Sequence, residues 1–584
     1  MSQVISIGRL ILFFMSSAGY WEFFHKKCKI NLFFLPGFTV AFQISVLFAG
    51  GILNCLKPVF ILLFVIGLIL VTYYLITEKK DFVIKYINEG YIFFFCAVCI
   101  CLLAVKGKVF IDYDNFSHWG LVVRNMLRTD RFPNFQDTII LFQSYPLGSS
   151  VFIYFFSKII SQSESVQMLA QCYMMLSFIL PLFKYGKNNK VFHIVILSVF
   201  TNFIFCYNTK ITTILVDTLL PLEGMAAVFF IFSECIKKKE KGEKVSLLCA
   251  IPFLCTAIQI KNSGVFFVAL SCVVIITAVI RYKMDWRSGA AACISPFISL
   301  YLWQAHCAYV FSAGLTTKHA MSISNYINNF SSKTQEDITV ILEKIRSILV
   351  GGKEFFFLIG FLVVVTVLSV IFIRQGYKRI IEVWAVCVSI YVIYMLGMFF
   401  MYLFSMPTAE ATVLDGWPRY RRTIFVALYY IIMWFLLCEF SQIESRKKRY
   451  AALFVTVLVL VITWRYERGS FVTIFSSPSA HENDLAERRA WIENAIEEYG
   501  IPSNKSYIIC SPNGDGGYTW VLCRYLFNSN SSQVSSRNIK EENQLKDAAQ
   551  YDYVILYDSE NEIIKQWVAE NYPDQIDQDV IIIE

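Results

Sequence analysis

Apolar residues in this 584-residue chain fall in blocks of roughly 17 to 25, the length a helix needs to cross a hydrocarbon core, separated by short charged clusters. The strongest clusters are basic: His25 to Lys29 (HKKCK), Lys79 to Lys85, Lys237 to Lys244 (KKKEKGEK), Arg281 to Arg287 (RYKMDWR), Arg374 to Arg379 (RQGYKR) and Arg446 to Arg449 (RKKR). Basic residues favour cytoplasmic loops, so all six are placed inside and helices are threaded between them. Threading predicts about 14 spans, near residues 4–24, 31–54, 58–77, 90–105, 166–183, 191–206, 216–235, 245–260, 264–280, 288–307, 354–373, 380–404, 424–440 and 450–464. Ser149 to Ile160 is short for a span, and if it crossed, the KKKEKGEK cluster would land outside. It is expected as an interfacial or re-entrant helix on the outer face. The outer side then receives residues 107–165, the turns 207–215 and 261–263, the polar stretch 308–353, the loop 405–423 and the C-terminal tail.

From Tyr466 the pattern changes to that of a soluble domain. Asp484 to Tyr499 has helical periodicity, Ser506 to Cys510 and Tyr553 to Tyr557 read as buried strands, and Ser559 to Asn571 reads as another helix. The expected fold class is an α-helical polytopic membrane protein with a small extracytoplasmic α/β domain over 466–584, behind N-terminal accessory helices over 1–89 and a transmembrane module over 90–465. Pro512 to Gly517 (PNGDGG) follows a strand, as phosphate loops do, but lacks their Lys-Ser/Thr pair and reads as a turn.

Composition supports the bilayer as main solvent: 56% of residues are hydrophobic and 16% charged, against about 25% charged in soluble globular chains. The mean hydropathy is +0.54. The net charge of +8 resides in the clusters between apolar blocks, where it orients helices, so nucleic acid is not implied. The 17 cysteines are scattered, many inside apolar blocks (Cys96, Cys99, Cys101, Cys172, Cys206, Cys255, Cys272), and read as buried thiols with no His spacing suited to zinc. Val4 to Phe24 lacks a basic start and a small-residue cleavage site and reads as a retained first helix.

Candidate chemistry concentrates in the first long outer loop, Val109 to Pro133 with Tyr145-Pro146-Leu147-Gly148 further on. Asp112 and Asp114 directly follow a membrane helix, which puts acids at the bilayer surface. There a carboxylate can take the proton of an attacking hydroxyl, or it can simply cap the helix starting near Phe116. Asp217 can equally be an N-cap, and Lys261 can snorkel from a helix end. Arg419, Arg421 and Arg422, beside Tyr420, break the positive-inside trend. They suit a phosphate or pyrophosphate leaving group, or an anionic lipid.

The sequence of helix, acidic loop, amphipathic helix, Phe132-Pro133 and Tyr145-Pro146-Leu147-Gly148 resembles the first extracytoplasmic loop of the GT-C membrane glycosyltransferases, which take sugars from polyprenyl-phosphate carriers. The resemblance covers roughly residues 90 to 440 as architecture. It implies Asp114 as general base with Asp112 as second choice, and a donor and acceptor site built from His118, Trp119, Tyr145, Asp217, Lys261, Arg419, Tyr420 and Arg421. It further implies a polyprenyl-phosphate sugar donor, a cell-surface glycan or lipid acceptor, and a multi-pass protein of the plasma membrane with its active face outside among membrane lipids. Three extra helices precede the acidic loop, and Asn115 stands where the family often has Glu, so the sugar stays open, as does a divalent metal; no cofactor is implied. A lipid-linked sugar transporter or flippase would place ionisable residues near the bilayer midplane, where Glu223 and Glu382 are rare instances. A polysaccharide polymerase or ligase would also use outer arginines.

Overall fold

The computed structural model describes residues 7–185, 190–243, 245–311, 323–373, 376–440, 443, 445–468, 480–503, 505–512, 515–529 and 533–583. Every predicted apolar block is helical. Among the described residues ten helical stretches are long and apolar enough to cross a membrane, and Glu89–Val105 and Leu247–Ile260 are shorter apolar helices. Ile7–Cys28 and Trp286–Val310 are long but carry more polar side chains. Together with one small sheet near the C-terminus, these helices define a polytopic helical membrane protein.

The helices set the two ends of the bundle apart. Asp217 precedes Leu219–Phe230, which runs on through Ile231–Ile236 to Lys237–Glu240. Lys261 precedes Val265–Tyr282, which stops at Lys283. An 18-residue helix is about 27 Å long, so each acidic-loop partner is separated from a basic cluster by roughly a bilayer core. At the far end the clusters meet: Lys238 donates to the Lys29 carbonyl, Lys239 to the Lys283 carbonyl, and Arg379 pairs with Glu439. Lys244, Arg374 and Gln375, which belong to two of these clusters, lie outside the described residues.

Of the two alternatives for Ser149 to Ile160, interfacial or re-entrant, the interfacial one is corrected by the helix's burial. Gly148–Ile159 is a short helix, but all of it except Lys158 is buried. Phe152, Phe155 and Phe156 pack on Phe13, and Phe152 stacks on Tyr173. Protein surrounds this short helix along nearly its whole length. Gly148 allows the approach: a Cβ there would stand 2.6 Å from the Gln259 backbone. Phe132 is seated as closely, its ring 2.2 Å from where a Cβ of Gly51 would be.

The polar stretch 308–353 and the expected loop 405–423 are helical in part. Residues 308–353 include Ile323–Ser331 and Gln335–Leu349, the second opened by a capping box between Thr334 and Asp337. The predicted loop 405–423 already contains the start of Trp417–Phe440, so the arginines occupy the first turns of a helix. Of the cysteines read as buried, Cys96 and Cys99 face outward on Glu89–Val105.

The C-terminal unit starts with helix Ala480–Glu498 and builds a sheet in the order β2-β1-β3-β4 from β1 (Tyr507–Cys510), β2 (Val534–Arg537), β3 (Tyr553–Leu556) and β4 (Val580–Ile582). β1 pairs in parallel with β2 and β3, and β4 closes the edge antiparallel to β3. Alternation gives the strands two faces. Ile508, Cys510, Val554 and Leu556 form one core with Ile564 and Trp567, whereas Tyr507, Ile509 and Ile555 join the core continuous with the helical bundle. Helix Tyr518–Phe527 and strands β2 and β4 were not anticipated. The turn expected at PNGDGG has residues 513 and 514 outside the described set, as does 469–479 at the expected domain boundary.

Candidate functional site

Residues from four distant segments meet in one cluster of charges. Arg419 Nη1 donates to Asp114 Oδ2, and Arg419 Nε lies 3.5 Å from Asp217 Oδ2. On its other oxygen Asp217 accepts from Lys261 Nζ at 2.7 Å. Two carboxylates and two cations therefore alternate in a chain, Asp114, Arg419, Asp217, Lys261. Burial is deepest at Asp217, inside the chain: its side chain is 4% exposed, Lys261 20%, and Arg419 and Asp114 about a third. Asp217 is enclosed between its two cations, and the Asp114 end is the more exposed end of the chain.

Helix electrostatics explain why the arginines have partners. Cations in the first turn meet the positive end of the helix dipole, so Arg419, Arg421 and Arg422 require carboxylates nearby. Helical geometry divides them, since residues two apart point about 200° from each other. Arg419 turns to Asp114 and Asp217. Arg421 instead meets Glu354 at 2.7 Å and the carbonyls of Ile348 and Gly351, and Arg422 also takes Glu354. Arg421 is thus placed apart from the Asp114 chain, as part of a lock onto helix Lys353–Phe372.

For Asp114 and Asp217 the capping alternative is not what the side chain does. Neither Asp114 nor Thr218, at the starts of their helical turns, makes a side-chain cap, and the Asp217 carboxylate is given to Lys261 and Arg419. Burial opposes ionisation of Asp217, but the charges of Lys261 and Arg419 outweigh it and hold the carboxyl below its ordinary value. Asp112 lies beside Tyr518 of the C-terminal unit. Its carbonyl accepts from Asn115 N, and its charge reaches Tyr518, whose phenol is pushed up chiefly by burial.

Tyr420 lies between two cations, its ring 5.0 Å from Lys261 Nζ and 5.5 Å from the Arg419 guanidinium. Tyr145 borders this group from the loop: burial raises its phenol pKa, and Tyr420, Arg419 and Asp114 all act on it electrostatically. Behind Tyr145 stands His118, in the π-turn Asn115–Trp119, with ring centroids 5.0 Å from Tyr145 and 4.8 Å from Trp119. Burial lowers the imidazole to about 3, and neither ring nitrogen has a hydrogen-bond partner among the described residues. His118 is therefore neutral and holds the aromatic wall of Trp119 and Tyr145.

Several supports went unnoticed in the sequence. Asn115 Oδ1 accepts from Thr213 Oγ1 and Ile214 N, tying the acidic loop to the segment that carries Asp217. Asn208 Nδ2 donates to the carbonyls of Asp217 and Arg419, and Thr423 Oγ1 to the same two carbonyls. Their only signal was a polar residue at the edge of an apolar block. Among the described residues no group of three or more His, Cys, Asp or Glu side chains is arranged to hold a metal ion.

The C-terminal unit is clamped onto the back of the same loop. Arg489 donates to the Phe110 carbonyl at 2.6 Å and to both oxygens of Glu164 at 2.9 Å, and Tyr525 OH reaches Glu164 at 2.7 Å. Tyr518 OH donates to the Ile111 carbonyl, Arg524 to the Ile139 carbonyl, and Arg124 to the Tyr525 carbonyl. The unit therefore lies on the same face as Asp114. No family model, curated protein or solved structure matches the chain.

Proposed function

We propose that this protein is an integral-membrane glycosyltransferase of the GT-C type, moving a sugar from a polyprenyl-phosphate carrier to a cell-surface glycan or lipid acceptor. The observation that carries the reading is the meeting of Asp114, Arg419, Asp217 and Lys261 at one end of the bundle, opposite the basic clusters. With basic loops cytoplasmic, that end is extracytoplasmic in the plasma membrane, as is the C-terminal unit, and all fourteen apolar helices cross.

In this scheme the acceptor oxygen bonds to the anomeric carbon as the bond from that carbon to the carrier phosphate oxygen breaks. The hydroxyl proton passes to Asp114, the bonding pair leaves with the phosphate, and the anomeric configuration inverts. Without substrate Asp114 is tied to Arg419. An arriving phosphate competes for that guanidinium, which frees Asp114 to act as base and places Arg419, with Lys261 behind it, against the charge that grows on the leaving group. Asp217 holds both cations in place. Tyr145, backed by the buried Trp119 whose ring is tilted 42° to it, borders the place where a sugar ring would sit.

The test is sugar transfer by membranes carrying the full chain, with a polyprenyl-linked donor. Asp114→Asn is expected to lower transfer by at least 100-fold, the scale of general acid–base catalysis, with normal membrane abundance. Undiminished transfer in that variant would remove the assignment.

A further inference from the structure

A second place in the molecule has the chemistry of a binding site and takes no part in the Asp114 chain. A cavity of about 1100 Å3 lies where the C-terminal unit meets the bundle, between the end of Glu89–Val105, the amphipathic helix Gly120–Thr129, the start of Glu164–Ile179 and helix Ala480–Glu498. Five cationic and two acidic side chains line it. Both acids are already engaged: Arg489 pairs with Glu164 and with Glu493 at 2.8 Å. Among the described residues Arg124 donates to the carbonyls of Tyr525 and Leu526, lies over the Tyr525 ring and has no carboxylate partner. Lys106, Lys108 and Arg128 have no carboxylate partner among the described residues.

Below these cations the lining turns aliphatic. Leu102 and Leu103 belong to the last turn of Glu89–Val105, an apolar helix, and Leu103 is 66% exposed, as is Ile7 at 69% at the start of Ile7–Cys28. In a membrane chain such side chains meet acyl chains. A cationic pocket directly above an open aliphatic rim matches one kind of molecule, an anionic amphiphile lying in the bilayer. A protein partner would leave the aliphatic rim facing lipid, and a free phosphate would leave it unused.

We propose that this cavity binds the phosphate headgroup of an anionic glycerophospholipid, held by Lys106, Lys108, Arg124 and Arg128, with its acyl chains against Leu102, Leu103 and Ile7. Because the pocket is shared between the bundle and the C-terminal unit, the bound lipid fastens the unit to the membrane surface. The inference does not rest on the glycosyltransferase reading and stands or falls apart from it.

The experiment is native mass spectrometry of the purified full chain in detergent, with added phosphatidylglycerol, phosphatidylcholine or inorganic phosphate. Phosphatidylglycerol is expected to stay bound and raise the melting temperature, phosphatidylcholine and inorganic phosphate are not, and the K106A/K108A/R128A variant is expected to bind it at least 10-fold more weakly, the effect of about 1.4 kcal/mol. Retention of phosphatidylglycerol by that variant, equal retention of phosphatidylcholine, or equal stabilisation by phosphate alone would overturn the proposal. A salt series needs no variant: raising ionic strength from about 0.1 to 1 M shortens the screening length from about 10 to 3 Å and should release the lipid. Retention unchanged at high salt would count equally against it.

Discussion

At the scale of single residues, the site is governed by who neutralises whom. Asp217 is the clearest instance, a carboxylate buried in a place that would protonate it were Lys261 and Arg419 not beside it. Its pKa in the folded chain lies below the unfolded value of about 3.9. The unfolded chain therefore binds the proton first as pH falls. Above about pH 4 the stabilisation is fully present, and it is lost as pH drops through the folded value. Thermal unfolding in detergent between pH 3 and 7 should show wild type exceeding Asp217→Ala by about 3 kcal/mol at pH 7, the scale of breaking a buried ion pair. The gap should narrow towards pH 3, and a gap independent of pH would show that the pair contributes no such linkage. The same logic sets Arg421 apart from Arg419. Both were visible as exceptions to the positive-inside trend, but only the helical phase decides that one meets Asp114 and the other Glu354.

At the scale of elements, packing against glycine positions the loop. Gly148 opens the buried helix Gly148–Ile159 three residues after Tyr145, and its α-carbon sits where no side chain fits against the Gln259 backbone. Gly148→Val should lower stability by about 3 kcal/mol or more through overpacking and displace Tyr145. Gly360, inside Lys353–Phe372, has nothing within 4 Å of a built Cβ. Gly360→Ala should be neutral or raise stability by up to about 1 kcal/mol through helix propensity. Melting temperatures of the two variants in one detergent check both. Periodicity announced each of these helices, but it left Gly148–Ile159 open between an interfacial and a re-entrant placement, because hydropathy reports an apolar face without saying whether lipid or protein covers it. The helix from Trp417 was read as starting seven residues late since its first turns are polar, and those turns carry the arginines.

At the scale of the whole molecule, the C-terminal unit and the acidic loop form one assembly. Arg489 is only 4% exposed and holds Glu164 with the Phe110 carbonyl, four residues before Asp114. Arg489→Ala would leave Glu164 with Tyr525 alone as side-chain partner, a loss of about 3 to 5 kcal/mol. Limited proteolysis of the full chain should then release the C-terminal unit faster than from wild type. An unchanged rate would mean that the other contacts suffice.

The chain by itself determined the membrane class, the position of nearly every helix, the shared side of the acidic loop with Asp217, Lys261 and the arginines, and a C-terminal unit of mixed structure. These are consequences of hydrophobic block length, charge placement and local periodicity, which act over a few turns of chain. Tertiary structure alone decided that Arg419 rather than Arg421 joins Asp114 to Asp217, that Asp112 lies beside Tyr518, that Gly148–Ile159 is enclosed, and that the C-terminal unit grips the loop through Arg489. Each of these joins residues tens to hundreds of positions apart, and such contacts depend on helix phase and packing that no local pattern records.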